Sequence, residues 1–166
     1  MKIAFYPGSF DPITLGHLDI VDQALPLFDE VYIAIGHNAQ KKRMFSIREA
    51  LELIDRSIVE RWPDPHVAKK ISYGTYSGSL ITAAEEAGAS AILRGIRQVS
   101  DFNDEFRLNG VIKMVSEIPV IYSICRHQFL HVASSTVKEM SSLGHPVDKL
   151  VTKCVDRALK EHYDQD

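Results

Sequence analysis

Five short runs of apolar, largely β-branched residues punctuate this chain, and helical patterns fill the intervals between them. The runs occupy residues 2–6, 31–35 (VYIAI), 67–73, 89–93 (ASAIL) and 119–124. Runs of this length without polar alternation belong to strands buried on both faces, and intervening helices link such strands in parallel. Leu18, Val21, Ala24, Leu25 and Phe28 recur at helical spacing, with Pro26 near the end of that helix. Ser46 and Glu49 form a capping box, and the helix it opens carries Ile47, Leu51, Ile54, Ile58 and Trp62 on one face until Pro63-Asp64-Pro65 stops it. Residues 79–87 form a short helix ended by Gly88, and residues 100–115 form a longer one. Ser134-Ser135-Thr136 caps a helix that Gly144 and Pro146 end. A last helix from about residue 148 places Leu150, Val151, Cys154, Val155, Ala158 and Leu159 together. The expectation is an α/β fold with a five-stranded parallel sheet and helices on both faces, one domain over residues 1–166.

That architecture directs attention to four polar segments. Ligands of open α/β sheets bind outside the carboxyl ends of the strands, and segments 7–17, 36–45, 94–105 and 125–135 each follow a strand. The formal charge of −3 gives no general attraction to nucleic acid or anionic lipid, so any phosphate must be held by local clusters of donors. No apolar run reaches the ~18 residues of a membrane span. The first residues reach Pro7-Gly8 too soon for a signal-peptide core, so the cytoplasm is the expected location. The two cysteines, Cys125 and Cys154, have no metal-ligand spacing and are expected to be buried, reduced packing residues.

In the first segment, Gly8 and Gly16 allow a close backbone approach, and the following helix start offers free N–H groups to phosphate. His17, in its first turn, can donate to a phosphoryl oxygen, or it can satisfy a neighbour. The second segment places Lys41, Lys42 and Arg43 together, either as a solvated basic loop or as charge facing a phosphate. In the third, Arg94 and Arg97 flank Gly95 as a possible bidentate clamp, with Asp101 and Glu105 one helical turn apart. Asp101 can equally cap that helix or pair with Arg97. The fourth gathers Ser134, Ser135 and Thr136 at a helix start, where outer phosphates of a nucleotide are stabilised, although a plain N-cap would explain any one of them.

Together these strings resemble a known family. Gly8 to His17 is similar to the G-[ST]-F-D-x-x-[HT]-x-G-H signature of the nucleotidyltransferase superfamily, with Thr14 in place of its first histidine. Residues 41–45 resemble the K-K-x-x-F loop of bacterial phosphopantetheine adenylyltransferases. Residues 94–105 resemble that family's R-G-[LI]-R-x-x-x-D-[FLY]-x-x-E, and residues 132–138 its I-S-S-[ST]-x-[VI]-[KR]. The resemblance spans about residues 3–140.

The resemblance implies a Rossmann-like fold and transfer of AMP from ATP to 4′-phosphopantetheine, giving dephospho-coenzyme A and pyrophosphate. It implies that His17, Lys41 and Arg94 are catalytic, with His17 stabilising the transition state. Ser9, Lys41 and Arg94 would hold the acceptor phosphate, and Leu80 its arm. ATP would lie among Ser9, Phe10, His17, Gly95, Ile96, Arg97, Glu105, Phe129, Leu130, His131, Val132, Ala133, Ser134 and Ser135. Magnesium would accompany ATP, although no carboxylate cluster reads as a dedicated metal site. A homo-oligomer is implied, commonly a hexamer, with no nucleic-acid or membrane partner. The chain departs from the family at Asp104, where tyrosine is usual, at Ile112, often asparagine, at Ser79, usually apolar, and at Ala133, usually serine. A different phosphorylated acceptor, such as nicotinamide mononucleotide or a polyol phosphate, therefore stays open. So does a nucleotide-binding regulatory module without turnover.

Overall fold

A computed structural model describes residues 1–37 and 42–164, with residues 99, 100, 102, 104 and 108 described by backbone alone. The apolar runs form β1 (Ile3–Gly8), β2 (Glu30–Gly36), β3 (Ile71–Tyr76), β4 (Ala91–Ile96) and β5 (Val120–Ile124). The helices are α1 (Leu15–Ala24), α2 (Ile47–Arg61), α3 (Pro65–Ala68), α4 (Leu80–Glu86), α5 (Val99–Val115), α6 (Ser134–Ser142) and α7 (Lys153–Tyr163).

Three local readings are corrected. Residues 67 and 68 end the short helix α3 instead of opening β3, because Pro65 suits the first helical position and the Asp64 carboxylate accepts from the His66 N–H at 2.9 Å. The last helix begins at Lys153. Its first N–H groups, of Lys153 and Cys154, donate to the Glu60 carboxylate at 2.9 Å each, so a side chain from α2 caps it. Helix α6 is preceded by Ala133 as N-cap, which has no side chain to cap with, and Ser134 donates instead to the Pro12 carbonyl at 2.8 Å.

The strands form one parallel sheet in the order β3-β2-β1-β4-β5. The chain winds outward from β1 to β3, then crosses back to β4 and on to β5. Right-handed crossovers therefore place the helices of the outward half on one face and those of the returning half on the other. One face carries α1, α2 and α7 over Ala4, Tyr6, Val31, Ile33, Ile35 and Leu93. The other carries α4, through Ala83 and Ala84, and α5, through Ile112, over Phe5, Ala34 and Ile92. Both cysteines are free and buried. Among the described residues no helix is long and apolar enough to cross a membrane.

The strand order reverses between β1 and β4. The β1–β2 ladder continues to Gly8↔Ile35, whereas the β1–β4 ladder ends at Phe5↔Ile92. Beyond that point the two central strands part, and a cleft opens between their carboxyl ends.

Candidate functional site

The cleft has two connected parts, sharing Gly8, Ser9, His17 and Arg97. The deeper part lies at the seam of the sheet, lined by Tyr6, Ile20, Arg94, Gly95, Asp101, Glu105, Cys125 and Val132. The wider part is polar and basic, lined by His37, Lys42, Arg43, Tyr76, Ser134, Ser135 and Lys138.

The loop after β1 is shaped by two residues. Phe10 has a φ of 43°, a left-handed conformation that bulky residues rarely adopt, and is held there by burial of its ring. The ring stands edge-on to Tyr6 at 5.3 Å and to His17 at 5.0 Å. A Cβ on Gly8 would fall 2.8 Å from that ring, so only glycine fits beneath it. Phe10 thereby fixes the plane of His17.

His17 is the third residue of α1, and its imidazole completes the capping box of Thr14. Its Nδ1 accepts the Thr14 backbone N–H at 3.1 Å, with the Thr14 hydroxyl oxygen at 3.0 Å. A nitrogen that accepts from an amide carries no proton, so the ring proton is on Nε2. Burial, and then the nearby Arg97 guanidinium, lower the pKa of His17 to about 3. At neutral pH it is an uncharged N–H donor with a fixed tautomer.

The arginines at and just after the end of β4 are held by carboxylates from α5. Arg94 gives Nε–H to Glu105 Oε2 at 2.7 Å and pairs through Nη2 with Glu105 Oε1, a two-pronged contact. Its Nη1 points to the Pro7 carbonyl at 3.5 Å. Arg97 pairs with Asp101 at 3.4 Å, and the same carboxylate accepts the Arg97 backbone N–H at 3.2 Å. Asp101 thus pairs with Arg97, one of the two roles the sequence left open.

Asp11 joins the parts of the basic compartment. Its carboxylate accepts the N–H groups of Met44 and Phe45 at 3.0 Å each and receives Lys138 Nζ at 3.3 Å. Arg43 donates to the Ser9 carbonyl at 2.8 Å. Burial by itself would raise the Asp11 pKa, but the two backbone N–H groups and Lys138 outweigh it and hold it below the usual value. Behind the cleft, buried Asp19 accepts the Arg126 N–H at 2.8 Å and pairs with its guanidinium at 3.0 Å, pinning the segment after β5. The Oγ of Ser134 on the Pro12 carbonyl brings the start of α6, with its free N–H groups, to the cleft rim.

The structure brings together Ser9, Phe10, His17, Arg94, Gly95, Arg97, Glu105, Val132, Ala133, Ser134 and Ser135 around this cleft. Lys41 lies outside the described residues. Ile96 is buried, Phe129 and Leu130 pack on the core, His131 is exposed, and none of the four lines either part. Leu80 opens α4 and packs against the Phe5 cluster; it is not among the lining residues, although Tyr76 and Gly78 just before it line the wider part. Of the departing positions, Ser79 is the N-cap of α4, accepting from Ile81 N–H at 3.2 Å, and Ile112 is fully buried in the second core cluster. Sequence reading placed Arg43 in the basic loop and assigned no individual role to Asp11 or Lys138. The four-residue step from Ser134 to Lys138, one turn along α6, was the available signal for Lys138. Among the described residues, no three or more His, Cys, Asp or Glu side chains gather as a metal site.

The cytidylyltransferase-like family pattern matches residues 5–142 of the chain. A phosphopantetheine adenylyltransferase of Desulfotalea psychrophila is 41% identical over 98% of this chain and 93% of its own length. That of Geobacter metallireducens is 38% identical over 98% and 96%. Among solved structures, a Plasmodium falciparum nicotinic acid mononucleotide adenylyltransferase complexed with NaAD shares the fold. Its TM-score is 0.69 and its identity 16%, over 99% of this chain and 98% of that one. A lipopolysaccharide core biosynthesis protein of Thermoplasma volcanium has a TM-score of 0.52 and 21% identity, over 76% of this chain and 97% of its own.

Proposed function

Because this chain belongs to the phosphopantetheine adenylyltransferase family of the cytidylyltransferase-like proteins, we propose that it transfers AMP from ATP to 4′-phosphopantetheine. A phosphate oxygen of the acceptor attacks the α-phosphorus of ATP. The bond from that phosphorus to the β-phosphate bridging oxygen breaks, and pyrophosphate leaves with the electron pair. The products are dephospho-coenzyme A and pyrophosphate. The attacking phosphate is already ionised, so no side chain has to take a proton from it.

What remains for the protein is orientation and charge. The observation that carries the reading is the neutral, tautomer-fixed His17 at the junction of the two parts of the cleft. Its Nε2–H is the donor suited to the charge that grows on the α-phosphoryl oxygens. Arg94 and Lys41, with Ser9, take the acceptor phosphate. Arg97, Lys138 and the start of α6 take the phosphates of ATP, and its nucleoside enters the deeper part. Leu80 borders the acceptor arm at the mouth of α4.

Magnesium accompanies the substrate, neutralising the polyphosphate. Asp11, Asp101 and Glu105, the carboxylates of the cleft, are already engaged by cations and backbone N–H groups. The ion would then be held by the substrate's phosphates and water, not by these side chains, and would supply charge neutralisation. The protein would work in the cytoplasm as a homo-oligomer, a hexamer by family resemblance, with neither nucleic acid nor membrane as partner.

The test is magnesium-dependent pyrophosphate release from ATP, with 4′-phosphopantetheine beside nicotinamide mononucleotide and glycerol 3-phosphate. Selective release with 4′-phosphopantetheine, and dephospho-coenzyme A by mass, is the expected outcome. Release with another acceptor would retain the mechanism and replace the substrate. Folded protein that binds ATP yet turns over nothing would be a regulatory module.

A further inference from the structure

Tyr6 belongs both to the core and to the cleft wall. Its side chain is 5% exposed, and it lies on the face of β1 beneath α1, at the floor of the deeper part. The ring is clamped by Phe10, edge-on at 5.3 Å. No residue among those described offers its hydroxyl a hydrogen bond. The oxygen is not sealed off from solvent, so a hydroxyl without a protein partner at this place faces whatever fills the cleft, and tyrosines in such positions usually find a partner.

The neighbouring strand makes room for one. A Cβ at Gly95 would lie 3.5 Å from the Tyr6 oxygen and 3.0 Å from the Cγ1 of Ile20. Glycine at this position keeps the space beside the hydroxyl open, between two strands whose ladder has already ended. The surroundings are chemically mixed. Ile20, Cys125 and Val132 give apolar walls, and the cations here, Arg94 and Arg97, are paired with Glu105 and Asp101, while Lys42, Arg43 and Lys138 are in the other part. That division fits a nucleoside here and the outer phosphates there.

Resting on the nucleotidyltransferase reading, we propose that the Tyr6 hydroxyl is a nucleotide-binding group, donating a hydrogen bond to an acceptor atom of the nucleoside part of bound ATP. Burial, chiefly, raises the phenol pKa, so the group stays protonated through the range in which the protein would be assayed.

Tyr6→Phe removes the oxygen and nothing else, so the experiment is calorimetric binding of ATP and of AMP to wild type and Y6F, beside thermal unfolding of the ligand-free proteins. Affinity for ATP and AMP should fall alike in Y6F, by roughly three- to ten-fold. The ligand-free melting temperature should stay the same or rise, because the free protein has no bond there to lose. Equal affinity in both proteins would overturn the proposal while leaving the nucleotidyltransferase reading intact. A marked fall in the melting temperature would assign the hydroxyl to the fold. A loss seen for ATP but not AMP would place it on the outer phosphates, against the proposal. Wild-type protein that binds neither nucleotide would sink the underlying reading, and this inference with it.

Discussion

At His17 one imidazole closes the start of α1 and presents a proton to the cleft. Its replacement by alanine should lower turnover roughly 10²–10³-fold, as removal of an oxyanion-hole donor does, while circular dichroism and near-normal ATP binding report a folded protein. Near-normal turnover in that variant would remove His17 from the chemistry. The tautomer leads to a second expectation. With a folded pKa near 3, against 6.5 for the free side chain, the ring stays neutral in the native state. The unfolded chain binds the extra proton first, so this group lowers stability as pH falls from about 6.5 towards 3 and contributes no pH dependence above that window. Histidine NMR should show His17 without a titration step between pH 5 and 8, Nδ1 unprotonated throughout. A midpoint near 6.5 for this residue would contradict the geometry.

The loop after β1, the loop before α2 and the start of α6 act as a unit through Asp11 and Ser134. Asp11→Asn keeps the shape but offers one acceptor oxygen where two are used, and the charge facing Lys138 is gone. The expected cost is about 1–3 kcal/mol of stability, read by denaturant unfolding, with a raised KM for both substrates. Its depressed pKa adds a separate acid response. The stabilisation is complete above the ordinary carboxylate value of 3.8 and is lost as pH falls through the lower folded value. A variant as stable as wild type at neutral pH and below would show that the loops hold without it.

This bracing was the part of the site least legible beforehand. Ser9, His17, Arg94, Arg97 and Ser134 sit in strings that follow strands, so the rule for α/β sheets placed them without knowledge of contacts. Asp11 and Arg43 fall in such strings too, but their meeting with each other and with Lys138 spans separations that only the folded chain reveals. Leu80, assigned by resemblance, packs against the Phe5 cluster at the start of α4.

For the molecule as a whole, apolar runs and helical periods were sufficient to anticipate a five-stranded parallel sheet, because both faces must be covered. Periodicity does not show where Glu60 reaches across from α2 to start α7, so that helix was expected about a turn too early. Helix α5 points to a larger assembly. Phe106, Val111, Met114 and Val115 are more than half exposed on it, and an apolar surface on a helix calls for cover. Light scattering should give a multiple of the 18.7 kDa chain, and Met114→Glu with Val111→Glu should shift the mass downward without unfolding the protomer. A monomeric wild type would refute the assembly, and an unchanged mass in the variant would move the interface elsewhere. The parting of β1 and β4 past Phe5↔Ile92 has one more consequence. The halves of the sheet are least bonded to each other where the cleft is deepest, so a nucleotide lying across that seam fastens them. Co-substrate and clasp are then the same molecule, and the protein starved of nucleotide is the one that opens most easily.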